Sequence, residues 1–266
     1  EGTTAINTAV NGLSLRINNG EIFGLLGPNG AGKTTTIRML TTLTQPSEGK
    51  ILYDGILLEG NERVIKQKIG VVPQNLNFDQ DLTAGENMEL HARLYRLPKN
   101  KREQRIKELL KFVELEDVVN DSVRKLSGGM KRRLLIARGL IHEPDVLFMD
   151  EPTVALDPQV RRRIWELIRQ MARRGTTVLL TTHYIEEAEA LCNRVAIMKK
   201  GTILDVDTPE GFIDHYGRYL AEWEGSWRFF MEEAKALDFI KSLIVKGSVR
   251  PTTLEDIFME LTGRRE

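Results

Sequence analysis

The sequence predicts an α/β protein: a mainly parallel sheet with helices on its faces, an inserted helical subdomain, and a small α+β unit at the end. Three observations predict it. Short apolar runs of strand length, such as Ile22-Phe23-Gly24-Leu25-Leu26 and 145–150, alternate with helix-length segments, as buried parallel strands do. A glycine-rich turn, Gly27-Pro28-Asn29-Gly30-Ala31-Gly32-Lys33-Thr34-Thr35, joins the first such run to a helical stretch. From Asn75 to about residue 143 the texture becomes helical, with Ile106, Leu109, Leu110 and Val113 at i, i+3, i+4 and i+7.

Composition narrows the class. A chain of 266 residues can bury a full core and hold one large domain plus a small one. Lys+Arg equals Asp+Glu at 38 each, so the charge balance points to neither nucleic acid nor an anionic membrane surface. One cysteine, Cys192, excludes an internal disulfide and suits a reducing compartment. No apolar run approaches the roughly 20 residues that span a bilayer, and no signal peptide opens the chain, so a chain soluble by itself is expected. It starts at Glu1 rather than Met, and further residues are expected upstream.

In order, Ala9-Val10 and 13–17 are alternating stretches ahead of an Asn18-Asn19-Gly20 turn, and predict an antiparallel hairpin beside the core. After the first helix, residues 45–49 break the pattern, and 50–55 predict a strand and turn. Residues 69–74 predict a strand stopped by Pro73. Beyond the helical insertion come a buried strand at 145–150, a helix from Pro158 to Arg173 and a strand over 177–182. A helix over 185–192 and strands at 194–198 and 202–206 follow. The pattern loosens after Thr208-Pro209. Domains of 1–208 and 209–266 result.

The glycine-rich turn fits G-x-x-x-x-G-K-[ST], with Gly27, Gly32, Lys33 and Thr34 at the fixed positions. Such a loop curls so that the backbone N–H groups of Asn29, Gly30, Ala31, Gly32, Lys33, Thr34 and Thr35 face phosphate, with the helix N-terminus adding positive potential. Lys33 is expected to reach the β- and γ-phosphates and Thr34 to bind Mg²⁺. A carboxylate to hold Mg²⁺ beside Thr34 is expected at the end of a neighbouring strand, where Asp150 stands. Glu151, directly after it, is placed to act as general base on an attacking water. The chain is expected to bind a nucleoside triphosphate.

Further motifs then carry a resemblance. Leu126-Ser127-Gly128-Gly129-Met130 resembles the signature motif of ATP-binding-cassette (ABC) ATPases. Gln74 is similar to that family's Q-loop glutamine, Leu156-Asp157 to its D-loop, and His183 to its switch histidine. Together the motifs stand in the family's order over residues 9–208. The resemblance implies a P-loop NTPase (RecA-like) core with an antiparallel β subdomain. It also implies head-to-tail dimers, homodimeric or of two paralogous chains, closing two ATPs between the phosphate loop of one copy and the signature of the other. Ser127, Gly128 and Gly129 would then contact the partner's nucleotide and Asp157 organise the seam. His183 would bond the γ-phosphate, and Gln74 would sense Mg²⁺ and the water.

Met130 stands where Gln is commoner and Ala155 where Gly is frequent; an aromatic that stacks on adenine is usual where this chain has Thr3, Thr4 and Ile6. Met130 with Lys131-Arg132-Arg133, and the tail from Arg250 to Phe258, resemble the drug-export (daunorubicin-resistance-like) branch. A peripheral subunit on the cytoplasmic face of the membrane, bound to an integral-membrane permease, is implied. Arg161-Arg162-Arg163 reads as a solvated helix face rather than a nucleic-acid patch. The alternative is a non-transport ABC ATPase of repair or translation. Against it stand the lack of sustained heptads between Lys33 and Ser127 and the presence of a single cassette. A GTPase would need an N-K-x-D motif, and none is found.

Overall fold

A computed structural model describes residues 8–263 of the chain. Strand β1 (Ile22–Leu26), buried throughout, runs into helix α1 (Lys33–Leu40). The hairpin β2 (Leu52–Tyr53) and β3 (Ile56–Leu57) turns at Asp54-Gly55. Helix α2 (Glu62–Lys68) leads into β4 (Ile69–Val72). Helices α3 (Ala84–Leu94), α4 (Lys99–Phe112) and α5 (Gly128–Gly139) separate β4 from β5 (Val146–Asp150). Helix α6 (Pro158–Arg173), β6 (Thr177–Thr182), α7 (Ile185–Leu191), β7 (Arg194–Lys199) and β8 (Thr202–Asp207) complete the sheet region.

The sheet order is β4-β5-β6-β1-β7-β8, parallel except for β8. Parallel strands covered on both faces need continuous apolar runs, which is why β1 and β6 are buried along their whole lengths. Phosphate-loop, Asp150 and His183 segments all leave the carboxyl ends of adjacent strands, the usual crevice for ligands in such sheets.

The expected N-terminal hairpin does not form among the described residues. Residues 8–20 enter no β-ladder, although Leu13, Leu15 and Ile17 do point inward while Ser14 and Arg16 are exposed. Leu15 and Ile17 pack against the core cluster containing Phe23, Leu25 and Ile37. The alternation therefore reports packing, not pairing: the ladder needs a neighbouring strand, and β2–β3 spends its two-residue strands on each other. Thr3, Thr4 and Ile6 lie outside the described residues.

Side-chain caps mark the starts of α3 and α6. Thr83 and Glu86 form a reciprocal capping box on α3, and Asp157 Oδ1 accepts from Val160 N (3.0 Å) ahead of Pro158 at the start of α6. In α6, Arg161 pairs with Glu186 (3.5 Å) and Arg163 with Glu114, so two of the three arginines are engaged within the chain. Cys192 is buried, its sulfur against Gly24, and burial raises its thiol pKa. It is packing, not chemistry.

After β8 come α8 (Pro209–Tyr216), β9 (Tyr219–Trp223), β10 (Ser226–Phe230), α9 (Glu233–Ser242), β11 (Gly247–Pro251) and α10 (Leu254–Thr262). The strands form an antiparallel sheet in the order β10-β9-β11. Phe212, Leu254 and Ile257 are fully buried in the same apolar cluster as Ala188 and Leu191 of α7. This segment is packed onto the sheet region by its helices.

A ring stack ties the end of α3 to the turn after α5 and to β4. Tyr95 lies parallel on His142 (centroids 3.6 Å apart), His91 tilts against Tyr95, and His142 Nε2 donates to the Ile69 carbonyl at 2.9 Å. Burial, then Arg138 and His142, push the pKa of His91 from 6.5 to about 4; burial also lowers that of His142. The folded state thus favours neutral rings. Between pH 6.5 and about 4 the unfolded chain binds more protons, so the stability from this cluster is full above pH 6.5 and is lost as pH falls towards 4. Thermal melts from pH 7 to 4.5 should show the midpoint falling, and His91→Gln, neutral throughout, should flatten the fall. An identical slope in that variant would count against the cluster.

Candidate active site

Gly32 begins α1 with φ 103°, a left-handed conformation, and a Cβ there would lie 2.6 Å from the Ala9 carbonyl. Gly27 is equally confined: its Cβ would meet the Met198 carbonyl at 2.3 Å. The loop can take this path only as glycine. The start of α1 has no side-chain cap and no acidic residue in its first turn. Its backbone N–H groups are therefore left for an anion, as a phosphate cradle requires. Lys33 is buried, and its Nζ donates back to the carbonyls of Gly27 (2.7 Å) and Pro28 (3.1 Å). Burial lowers its pKa, opposed by Glu151 and Asp150. These residues fit a triphosphate.

Asp150 is buried at the end of β5. Its Oδ1 accepts from Thr181 Oγ1 (2.6 Å) and from Thr34 Oγ1 (3.2 Å). A hydroxyl and a carboxylate so placed fit Mg²⁺, an ion that keeps waters and phosphate oxygens rather than demanding an all-protein cage. No cluster of three His, Cys, Asp or Glu suited to a metal occurs among the described residues.

Glu151 is the hub. Its Oε2 accepts from Gln74 Nε2 (3.1 Å), and its Oε1 from His183 Nδ1 (3.1 Å). Lys33 Nζ stands 4.0 Å from Oε1. The residue sits at φ 46°, in the left-handed region a non-glycine rarely adopts, held by its N–H donating to Thr181 Oγ1 and to the Thr181 carbonyl. Phosphate loop, Asp150, Glu151, Gln74 and His183 are thus brought together.

Ser127, Gly128, Gly129 and Asp157 are not part of that cluster. Ser127 and Gly128 are exposed at the start of α5, where Ser127 Oγ accepts from Met130 N (3.2 Å). A Cβ on Gly129 would meet Val160 at 2.7 Å, so this helix end abuts the start of α6, which Asp157 caps. Among the described residues, no hydrogen bond or ion pair joins Ser127, Gly128 or Asp157 to Lys33, Asp150 or Glu151. Ala155, the position often held by Gly, has φ 58°, the geometry that glycine would adopt without strain.

Sequence reasoning missed Thr181, which orients Asp150 and supports Glu151. The signal was its place at the end of a buried strand, next but one to His183.

The fold is that of a nucleotide-hydrolysing cassette, and the chain belongs to the ABC transporter family, whose model matches residues 10–154. It is an ATP-binding ATPase subunit. It is 39% identical over 288 residues to the Nod factor export ATP-binding protein I of Ralstonia nicotianae, covering 97% of this chain and 90% of that one. The same-named protein of Rhizobium sp. (strain N33) is 40% identical over 283 residues, covering 96% and 92%. Among solved structures, a dimeric ATP-binding cassette bound to ADP and Pi aligns with a TM-score of 0.71 at 32% identity, covering 78% of this chain and 94% of that one. The cbiO1 subunit from Clostridium perfringens, part of an ABC transporter complex, aligns at 0.71 and 30%, covering 76% and 83%.

Proposed function

We propose that two copies of this chain, or this chain and a paralogue, close head to tail on two ATP–Mg²⁺ units and power export through separate membrane subunits. The observation that carries it is the separation just described. One chain holds a cluster for phosphate, metal and base at Lys33, Asp150 and Glu151. It also holds, apart from that cluster, an exposed helix start at Ser127 and Gly128, capped by Ser127 itself and not hydrogen-bonded to Lys33, Asp150 or Glu151. A second copy supplies what each half lacks, and one of the aligned solved structures is dimeric with ADP and Pi.

In this reading Lys33 unfolds from the Gly27 and Pro28 carbonyls onto the β/γ-phosphates. Thr34 and Asp150 hold Mg²⁺, with Gln74 reaching it from the loop after β4. Glu151 accepts the proton of the attacking water; His183 and Gln74, already bonded to its two oxygens, keep it aimed. Ser127, Gly128 and Gly129 present the N-terminus of α5 to the partner's γ-phosphate. No helix among the described residues is long and apolar enough to cross a membrane, which fits a permease supplied by other chains and a peripheral place at the cytoplasmic face. Export is favoured because relatives matching nearly the whole chain are named for it. Residues 209–266 are read as an accessory unit.

The test is Ser127→Arg. It should abolish hydrolysis while leaving ATP binding to the isolated chain intact, because Ser127 acts on the other copy's nucleotide. Binding and hydrolysis falling together would place the signature in its own chain's site.

A further inference from the structure

Arg132 has no part in the reading above, yet it is only 4% exposed, and a buried guanidinium needs partners. Its Nη1 donates to the Pro73 carbonyl (2.9 Å) and its Nη2 to the Gln74 carbonyl (2.9 Å). The planar fork of arginine spans two successive carbonyls, which the single ammonium of lysine does not. Burial lowers its pKa, countered by the nearby carboxylates of Asp150 and Glu187. Glu187 is itself buried, accepting at Oε1 from Thr153 (2.7 Å) and Trp165 (3.1 Å). Arg132 thus lies between the carbonyls of the loop after β4 and the carboxylates of Asp150 and Glu187.

Its position on α5 matters. Ser127 caps that helix, and Arg132 follows within the next turn and a half, on the same rigid rod. The end of the rod is the exposed surface offered to a nucleotide, and the side chain holds the backbone of the residue whose amide reaches Glu151.

We infer that Arg132 is a positioning residue that ties the signature end of α5 to Gln74, so that the nucleotide seated against Ser127 sets the reach of Gln74 in this chain's own site. The cross-site part rests on the head-to-tail reading. Tilting of α5 as a phosphate docks at its N-terminus moves the Pro73–Gln74 backbone with it, and the Gln74 amide is aligned or withdrawn. The two ATP sites of a dimer are coupled through one guanidinium per chain.

The experiment is a double-mutant cycle on the full chain, reading kcat and ATP affinity for Arg132→Met, Gln74→Ala and the two together, with Ser127→Arg in the same assay. Arg132→Met should lower kcat about 10- to 100-fold, as a small misplacement of a reacting group does, with ATP affinity of the isolated chain unchanged. Combined with Gln74→Ala it should cost nothing further, because both act through the same amide. Arg132→Lys, keeping the charge and one carbonyl, should fall between, and carries the cycle if the Met variant does not fold. Losses that multiply would overturn the inference, leaving Arg132 as support for the fold alone; so would wild-type kcat in Arg132→Met. Unimpaired hydrolysis in Ser127→Arg would overturn the head-to-tail reading and the cross-site part with it, while the Arg132–Gln74 cycle would still report on their coupling within one chain.

Discussion

Replacing Glu151 by Gln should cut ATP turnover by roughly 10²–10⁴, the usual loss for a general base, while ATP still binds. Glutamine keeps the length and one acceptor oxygen, so one of the bonds from Gln74 and His183 survives and the backbone at φ 46° is undisturbed. It cannot take a proton from water. Asp150, Thr34 and Thr181 are untouched, so metal binding should persist. If hydrolysis is what opens the closed dimer, this variant should remain in it. Normal turnover measured by phosphate release would remove Glu151 from its proposed role.

Lys33→Ala has the next largest expected effect. The ammonium is buried beside two carboxylates, and removing it deletes the positive charge nearest the bound phosphates while leaving Asp150 and Glu151 in place. A lost charge-assisted contact of about 1.5–3 kcal/mol predicts triphosphate binding about 10- to 150-fold weaker, and the remaining negative charge makes hydrolysis undetectable. The backbone cradle at the start of α1 is unaffected, so weak diphosphate binding should remain. Calorimetric titration with ATP and ADP separates the two. ATP affinity equal to wild type would contradict the phosphate-loop assignment.

Much of this was legible because its causes are local. The strands Ile22–Leu26 and Thr177–Thr182 stand where apolar runs put them, and the helix expected from Pro158 to Arg173 has those bounds. The phosphate loop is written in consecutive residues, so its glycines and Lys33 could be placed before any fold was known. Residues 9–20 form no hairpin: alternation shows which side chains face inward, while a ladder depends on a partner strand distant in sequence. Likewise Thr181 and Arg132 act through contacts 31 and 58–59 residues away. No window of sequence displays that pairing.

An ATP site shared between two copies, as proposed above, is tested most directly by the mass of the chain with and without ATP. Sedimentation of Glu151→Gln should show a monomer alone and a dimer with ATP and Mg²⁺. Adding Ser127→Arg to that variant should abolish the dimer while ATP affinity per chain stays the same. A dimer that persists with Arg at position 127, or one that forms equally without ATP, would contradict a site completed by the partner's signature helix.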